Sequence, residues 1–391
     1  MALPLNYNIR NVLIRWRATL ATVIGVALVV SVYVSLQAMA AGLEKTSANT
    51  GDPRNILIVR KGSTAESSSQ VTREQFQIIP YLPGIARSAR DQPLVSADVI
   101  VLVTVPRREN GGEANVILRG VSPAGAELRP QVTLIAGRWF TPGKREVVVS
   151  QRLSKRFANF GLGDKFTSAG KTLTIVGVLE GGNSAFDSEV WLDADECRAL
   201  FDRENYSSVL VRTENPEAAK TLMARVEADK RLPLRALPEV EYYAAQTKTA
   251  MPFKFLASAL AIMMSVGAVF AAMNTMYASV GARTREIGTL RVLGFRRRAI
   301  LTSFLIEGAF LSLIGGLLGC LIAAGIYILI RDHPIGTMSF DSFSETVFQF
   351  RITPWLAVKG LIFSVLLGIF GSLLPALRAA RLPVIGALKS L

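Results

Sequence analysis

Four stretches of the chain are apolar for long enough to matter. Ala18 to Gly42 and Phe255 to Ala282 carry no charged residue; Ala299 to Ile330 carries one, Glu307; Gly360 to Leu377 carries none, and Pro354-Trp355 extends it outward. A helix needs roughly 20 residues to cross a ~30 Å hydrocarbon core. The pattern predicts transmembrane helices over 18–42, 255–280, 299–330 and 354–377. At ~1.5 Å per residue the third would be about 48 Å long, so it must tilt or project.

Between the first two spans the pattern changes. "NILIVRK" at Asn55, "ADVIVLVTV" at Ala97, "EVVVS" at Glu146, "KTLTIVGVLE" at Lys171 and "SSVLVRT" at Ser207 are rich in β-branched residues and read as strands. "TREQFQII" near Thr72, "SQRLSKRFANF" near Ser150 and "NPEAAKTLMARVEADK" near Asn215 read as helices. The last has Asn215 as a cap and Pro216 in the first turn. Residues 43–254 are therefore expected to form a large α+β domain with two lobes, the second beginning near Asn183.

Composition agrees with a membrane protein. Of 391 residues 50% are hydrophobic, and the formal net charge is +14. In a soluble protein such a charge would raise nucleic acid as a partner; here the positive-inside bias accounts for it, and no nucleic-acid partner is expected. Arg10, Arg15 and Arg17 precede the first span, and Arg378, Arg381 and Lys389 follow the last. The loop between the second and third spans carries Arg283, Arg285, Arg291, Arg296, Arg297 and Arg298. The loop at 331–353 has Arg331 and Arg351 against Asp332, Asp341 and Glu345. Segments 1–17, 281–298 and 378–391 are thus cytoplasmic, and 43–254 and 331–353 lie outside. The "AMA" at Ala38 to Ala40 resembles a signal-peptidase site, but the apolar run exceeds the usual signal core of about 7–15 residues, which favours an anchor.

Candidate chemistry is sparse. Cys197 and Cys320 lie far apart, and with His333 as the one histidine no zinc ligand set forms. Gly170-Lys171-Thr172 invites a phosphate-loop reading, yet the glycine required five positions earlier is Lys165. Asp164, Asp187, Glu189, Asp193 and Asp195 read as scattered acids on a solvated surface.

The short loop asks for more. Ile287, Leu290 and Leu293 recur at three-residue spacing, a helical face. A helix lying at the lipid interface and a helix docked in a groove on a partner account equally for such a stripe. Glu307, about two turns into the third span, is a costly intramembrane acid. It either holds the loop through Arg283 or Arg285, or snorkels to the interface. Gly308, Ser312 and Gly316 form one row of small residues, and Gly315, Gly319 and Ala323 a second, suited to close helix packing against another span or a second protomer.

One span, a large outer domain and three more spans is an order of parts that resembles the permeases of the MacB/FtsX family of ABC transporters, the mechanotransmission class. The likeness rests on "REIGTLRVLGFRRRAILTSFLIEGAFLSLIGGLLGCLIAAG", on "LLPALRAARLPVIGAL" with Pro375, Ala376, Ala379, Arg381, Pro383 and Leu388, and on "RNVLIRWRATLATVIGVAL". In the outer region "GVSPAGAELRPQVTLIAGRWFTPGKREVVVSQRLSKRF" resembles the family's periplasmic core domain. The resemblance implies a four-span helical permease of the bacterial inner membrane with a large α+β extracytoplasmic domain inserted between helices 1 and 2. It implies ATPase coupling through Glu286, Ile287, Gly288, Leu290, Arg291 and Gly294. It also implies a second permease protomer, identical or paralogous, surrounding lipid and, in some members, a periplasmic adaptor. With 1–17 ahead of the first span and no Walker A motif, ATP would be bound by a separate ABC ATPase subunit; this chain would be no enzyme and hold no cofactor. Export or extraction of a substrate is the expected function, with non-transporting activation of an outer partner as the alternative.

Overall fold

The computed structural model describes residues 16–108, 112–168, 170–246, 251–330, 335–338, 345–348 and 350–383. Arg10, Arg15, Arg331, Asp332, His333, Asp341, Leu388 and Lys389 lie outside them. The chain divides into a membrane unit (1–41, 252–332 and 350–391) and an extracytoplasmic unit (42–251 and 333–349).

Among the described residues, four helices are long and apolar enough to cross a membrane: Trp16–Ala48, Met251–Ala282, Arg297–Ile330 and Pro354–Arg381. The first therefore runs past the expected end at residue 42. Thr353 caps the fourth by accepting the Leu356 N–H, with Pro354 at its first turn, where the missing N–H costs nothing.

Small residues let these helices approach closely. A Cβ built on Gly308 would lie 2.6 Å from Ser372 Cβ, and one on Gly316 would meet Ser364; both partners belong to the fourth helix. From the other row, a Cβ on Gly315 would lie 2.9 Å from the Val23 carbonyl and one on Gly319 2.6 Å from the Ala27 carbonyl, on the first helix. The two rows thus serve two different neighbours within the same chain. In lipid there is no hydrophobic drive between helices, so such contacts supply much of the packing energy. On the fourth helix Gly371 does the same against Ala272 of the second. Valines Val26, Val30 and Val34 of the first helix pack with Ala323 and Leu356, beside the Tyr33–Phe363 ring pair at 4.6 Å.

The extracytoplasmic unit is built on a mixed sheet. Its strands are β1 Asn55–Arg60, β2 Val95–Pro106, β3 Glu113–Val121, β4 Thr133–Gly137, β5 Glu146–Ser150, β6 Lys165–Ser168, β7 Lys171–Glu180, β8 Glu189–Asp193, β9 Ser208–Arg212 and β10 Leu234–Pro238. They run in the order β10-β1-β9-β2-β3-β8-β5-β7-β4, with β6 on β7. β3/β8 and β5/β7 are parallel; the other pairs are antiparallel. A two-stranded ribbon, β11 Ile335–Met338 and β12 Glu345–Phe348, belongs to the same unit.

The expected lobe boundary near Asn183 is not where the sheet divides. β8 lies after Asn183 yet pairs with β3 and β5. The 12-residue β2 joins both halves: Val95–Asp98 pair with β9, and Val99–Pro106 with β3. Dividing the sheet into two lobes would mean cutting this shared strand, which lies well before Asn183.

Both faces of the sheet are covered. Ile56, Ile58, Val147, Val149, Val209 and Val211 enter one core; Leu57, Val59, Val148 and Leu210 enter the other. Double burial explains the continuous apolar runs of these strands. Thr72 and Gln75 close a capping box on the helix Arg73–Ile78, and Asn215 caps Pro216–Ala228 through the Ala218 N–H. Gly170, at φ +70°, makes the turn from β6 to β7, so Lys171 opens a strand.

The glycine contacts generate a test. Gly319→Ala drives a methyl group into the Ala27 carbonyl, whereas nothing lies within 4 Å of a Cβ at Gly325 on the same helix. Overpacking of this kind costs about 1–3 kcal/mol. The thermal midpoint of the detergent-purified protein should drop for Gly319→Ala and hold for Gly325→Ala; equal midpoints would remove the close-approach account.

Candidate functional site

The turn after the second long helix carries Arg283, which opens a short helix, Thr284–Val292. Arg283 Nη1 donates to Glu307 Oε2 at 2.8 Å, and Nη2 donates to Oε1 at 3.1 Å. Both side chains are 5% exposed, and the guanidinium sits 5.8 Å from the centre of the Phe304 ring. The paired, two-point geometry matches carboxylate to guanidinium. Of the two roles the sequence allows Glu307, the geometry is that of a tether: it fixes the start of the short helix to the third span.

The coupling candidates fall on different sides of that helix. Ile287 and Gly288 are buried, Leu290 and Arg291 half-buried, Glu286 and Gly294 exposed. Ile287 packs with Met276, Val280, Ile300, Phe304, Ala376 and Ala379 of the long helices. Leu293 points out at 70% exposure, next to Val292 at 61%. The stripe read from sequence as one face is therefore not one face. A three-residue step advances only about 300°, so the direction drifts by roughly 60° each time. Ile287 belongs to the chain's own core, and Val292 and Leu293 form the outward apolar rim.

Gly294 ends this helix. Its φ is +91°, and a Cβ there would meet no atom within 4 Å. The Phe295 N–H donates to the Leu290 carbonyl at 3.1 Å, and the Gly294 N–H to the Arg291 carbonyl at 3.2 Å, a Schellman ending. Arg291 Nη1 adds a bond to the Phe295 carbonyl at 3.1 Å. Arg296, Arg297 and Arg298 follow, all exposed.

Sequence reasoning missed a second arrangement, inside the extracytoplasmic unit. Arg119 donates to both Glu189 oxygens at 2.8 Å, to Glu66 at 3.1 and 3.2 Å, and to Asp98 at 3.1 Å. Arg129 pairs with the same Asp98 oxygen. Ser208 Oγ donates to Glu66 at 2.6 Å and Trp191 Nε1 to Glu189 at 2.9 Å. Glu189 is 2% exposed and Asp187 1%, so these two are not the surface acids that the sequence suggests; Asp164 and Asp195 are exposed. Burial alone would raise the Glu66 carboxyl, but the Arg119 charge and its hydrogen bonds hold it below the ordinary range. The signal was present: Arg119 directly follows the apolar run Val116–Leu118, and Asp98 directly precedes the apolar run Val99–Val103.

Glu307→Ala leaves a buried guanidinium without its counter-ion, a loss of about 3–5 kcal/mol. Replacing both partners by apolar residues, Arg283→Met with Glu307→Leu, should recover most of it. Thermal midpoints of the three proteins decide the matter, and an unchanged Glu307→Ala would show that the pair holds nothing.

Among known proteins, the MacB-like periplasmic core domain matches residues 18–229, and the FtsX-like permease C-terminal domain matches residues 258–384. An uncharacterized ABC transporter permease, YknZ of Bacillus subtilis (strain 168), is 31% identical over 65% of this chain and 65% of its own length. The macrolide export ATP-binding/permease protein MacB of Pasteurella multocida (strain Pm70) is 26% identical over 87% of this chain. The chain spans 50% of that relative's length. The crystal structure of the periplasmic region of MacB from Actinobacillus actinomycetemcomitans aligns with 49% of this chain and 91% of that one, at 13% identity and a TM-score of 0.38. With more than half its residues in one matched domain and its last three spans in the other, this chain belongs to the MacB/FtsX family of ABC transporter permeases, as a multi-pass protein of the bacterial inner membrane.

Proposed function

We propose that this permease transmits ATP-driven movement from a separate cytoplasmic ABC ATPase to its extracytoplasmic domain, in the export or extraction of a substrate. The observation that carries the reading is the short helix Thr284–Val292. Its inner face is fixed by Ile287 and by the Arg283–Glu307 pair, while Val292 and Leu293 remain exposed beside exposed arginines. A helix held on one side and apolar on the other suits a helix-in-groove contact. The FtsX-like match spans it. In this reading ATP is bound by the partner subunit, this chain hydrolyses nothing and holds no cofactor, and two permease protomers work together in the lipid bilayer, with a periplasmic adaptor as a further partner.

The rim gives the test. Purification in mild detergent should bring down an ABC ATPase. Leu293→Asp places a carboxylate in the contact, which costs several kcal/mol when buried without a partner. At about 1.4 kcal/mol per tenfold change, retention of the ATPase should weaken by about a hundredfold or more. Arg297→Ala, with an exposed side chain, should retain it. The same preparations should show ATP hydrolysis only with the ATPase present. Equal retention by both variants, or hydrolysis by the permease alone, would sink the reading.

A further inference from the structure

The chain enters the extracytoplasmic unit at the end of the helix Trp16–Ala48 and leaves it through the helix Glu239–Gln246. The two passages touch. A Cβ on Gly51 would lie 2.6 Å from the Val240 nitrogen, so the backbones meet with no room for a side chain. One residue on, the Asp52 N–H donates to Glu239 Oε2 at 2.9 Å, and Asn55 Nδ2 donates to the same oxygen at 2.9 Å. Glu239 is fully buried, and its Oε1 has no hydrogen-bond partner among the described residues.

The charges around Glu239 are already matched elsewhere. Arg129 faces it but pairs with Asp98. Arg212 faces it but pairs with Asp52 and donates to Asn55 Oδ1. Glu66 and Tyr243 face it too, and Glu66 adds like charge. On its own helix Glu241 is exposed. The buried interior thus sets Arg119 and Arg129 against Glu66, Asp98, Glu189 and Glu239. An ionised Glu239 would raise the surplus of negative charge further. Burial lifts its carboxyl above the ordinary glutamate range in spite of Arg129.

We propose that Glu239 is a proton-dependent clasp that ties the entering and leaving passages of the extracytoplasmic domain. The proton sits on Oε1, because Oε2 accepts both donors. Losing it places an uncompensated charge in the interior, which water entry at the Gly51–Val240 contact relieves, so the clasp loosens as the outer medium turns alkaline. Glu239 is a positioning residue here, and the inference stands whether or not an ATPase docks on Thr284–Val292.

The sign fixes the test. A group with a raised folded pKa stabilises the fold fully below its unfolded value, and that stabilisation is lost as pH rises to the folded value. In that window the wild-type folding equilibrium should fall by up to about tenfold per pH unit relative to Glu239→Gln, and level off above it. Gln keeps the acceptor oxygen and removes the titration. Full-length protein in detergent is melted from pH 4.5 to 8.5, followed by tryptophan emission; Trp191 lies in this core. The expected result is a gap between Glu239→Gln and wild type that widens with pH, and a loss for Glu239→Ala at every pH. Parallel wild-type and Glu239→Gln curves, or a Glu239→Gln protein that fails to fold, would overturn the proposal.

Discussion

A charge taken out of water must meet its opposite inside the protein, and this chain obeys that constraint in both of its units. In the membrane unit the case is minimal, with one guanidinium and one carboxylate joined at two points. Neither could remain singly where it is, since an unpaired ion in a low-dielectric interior costs several kcal/mol. The position of the short helix follows from that necessity. Arg283 must reach Glu307, so the residues after it start at a fixed point, and Ile287 falls into the core formed by Met276, Phe304 and Ala376. Gly294 then ends the helix in a left-handed turn that glycine adopts without strain.

In the extracytoplasmic unit the constraint is met by a network. Arg119 serves three carboxylates from three separated stretches, Glu66, Asp98 and Glu189. Such a network adds little net stability over an apolar core of equal volume, but it penalises any other arrangement of the strands that bear it. That suits a sheet whose long β2 is shared between two halves. A slip of one residue in β2 or β3 would send Asp98 or Arg119 to the opposite face, leaving its partners buried alone.

The parts legible in the sequence were those set by local pattern. The four long helices follow from hydropathy, and β1, β5, β9 and the first half of β2 from β-branched runs that are buried on both faces, while β7 follows from a run whose first half alternates exposed and buried positions. The two small-residue rows were visible as spacings, because period alone places Gly308, Ser312 and Gly316 together. What was hidden depends on partners distant in sequence. β10 is short and ends in Pro238, β4 is largely exposed, and β3 is broken by Arg119 and Gly120. The helix after Ser150 stops at Arg156, since Phe157 turns extended and bridges Arg107. Glu189 looked like a surface acid until β8 was paired with β3.

The same distinction bears on the short helix. Spacing showed that Ile287, Leu290 and Leu293 are apolar and regularly placed, but not which way each points. With Ile287 committed to the chain's own core, the outward surface of the helix narrows to Arg285, Glu286, Thr289, Val292 and Leu293. On the proposed docking, so small an apolar rim leaves much of the specificity to shape and to charge. Arg296 to Arg298 would then act on the rate of encounter, since rim charges steer association more than they hold a complex together. The apolar pair would govern how long the contact lasts. On that docking a partner would push against a helix that cannot shift alone, because Arg283, just before its first residue, is tethered to Glu307 and its inner face is packed. Movement imposed there would then pass to the third span, and from Gly308 and Gly316 to the fourth, whose contacts leave no slack for a single methyl group.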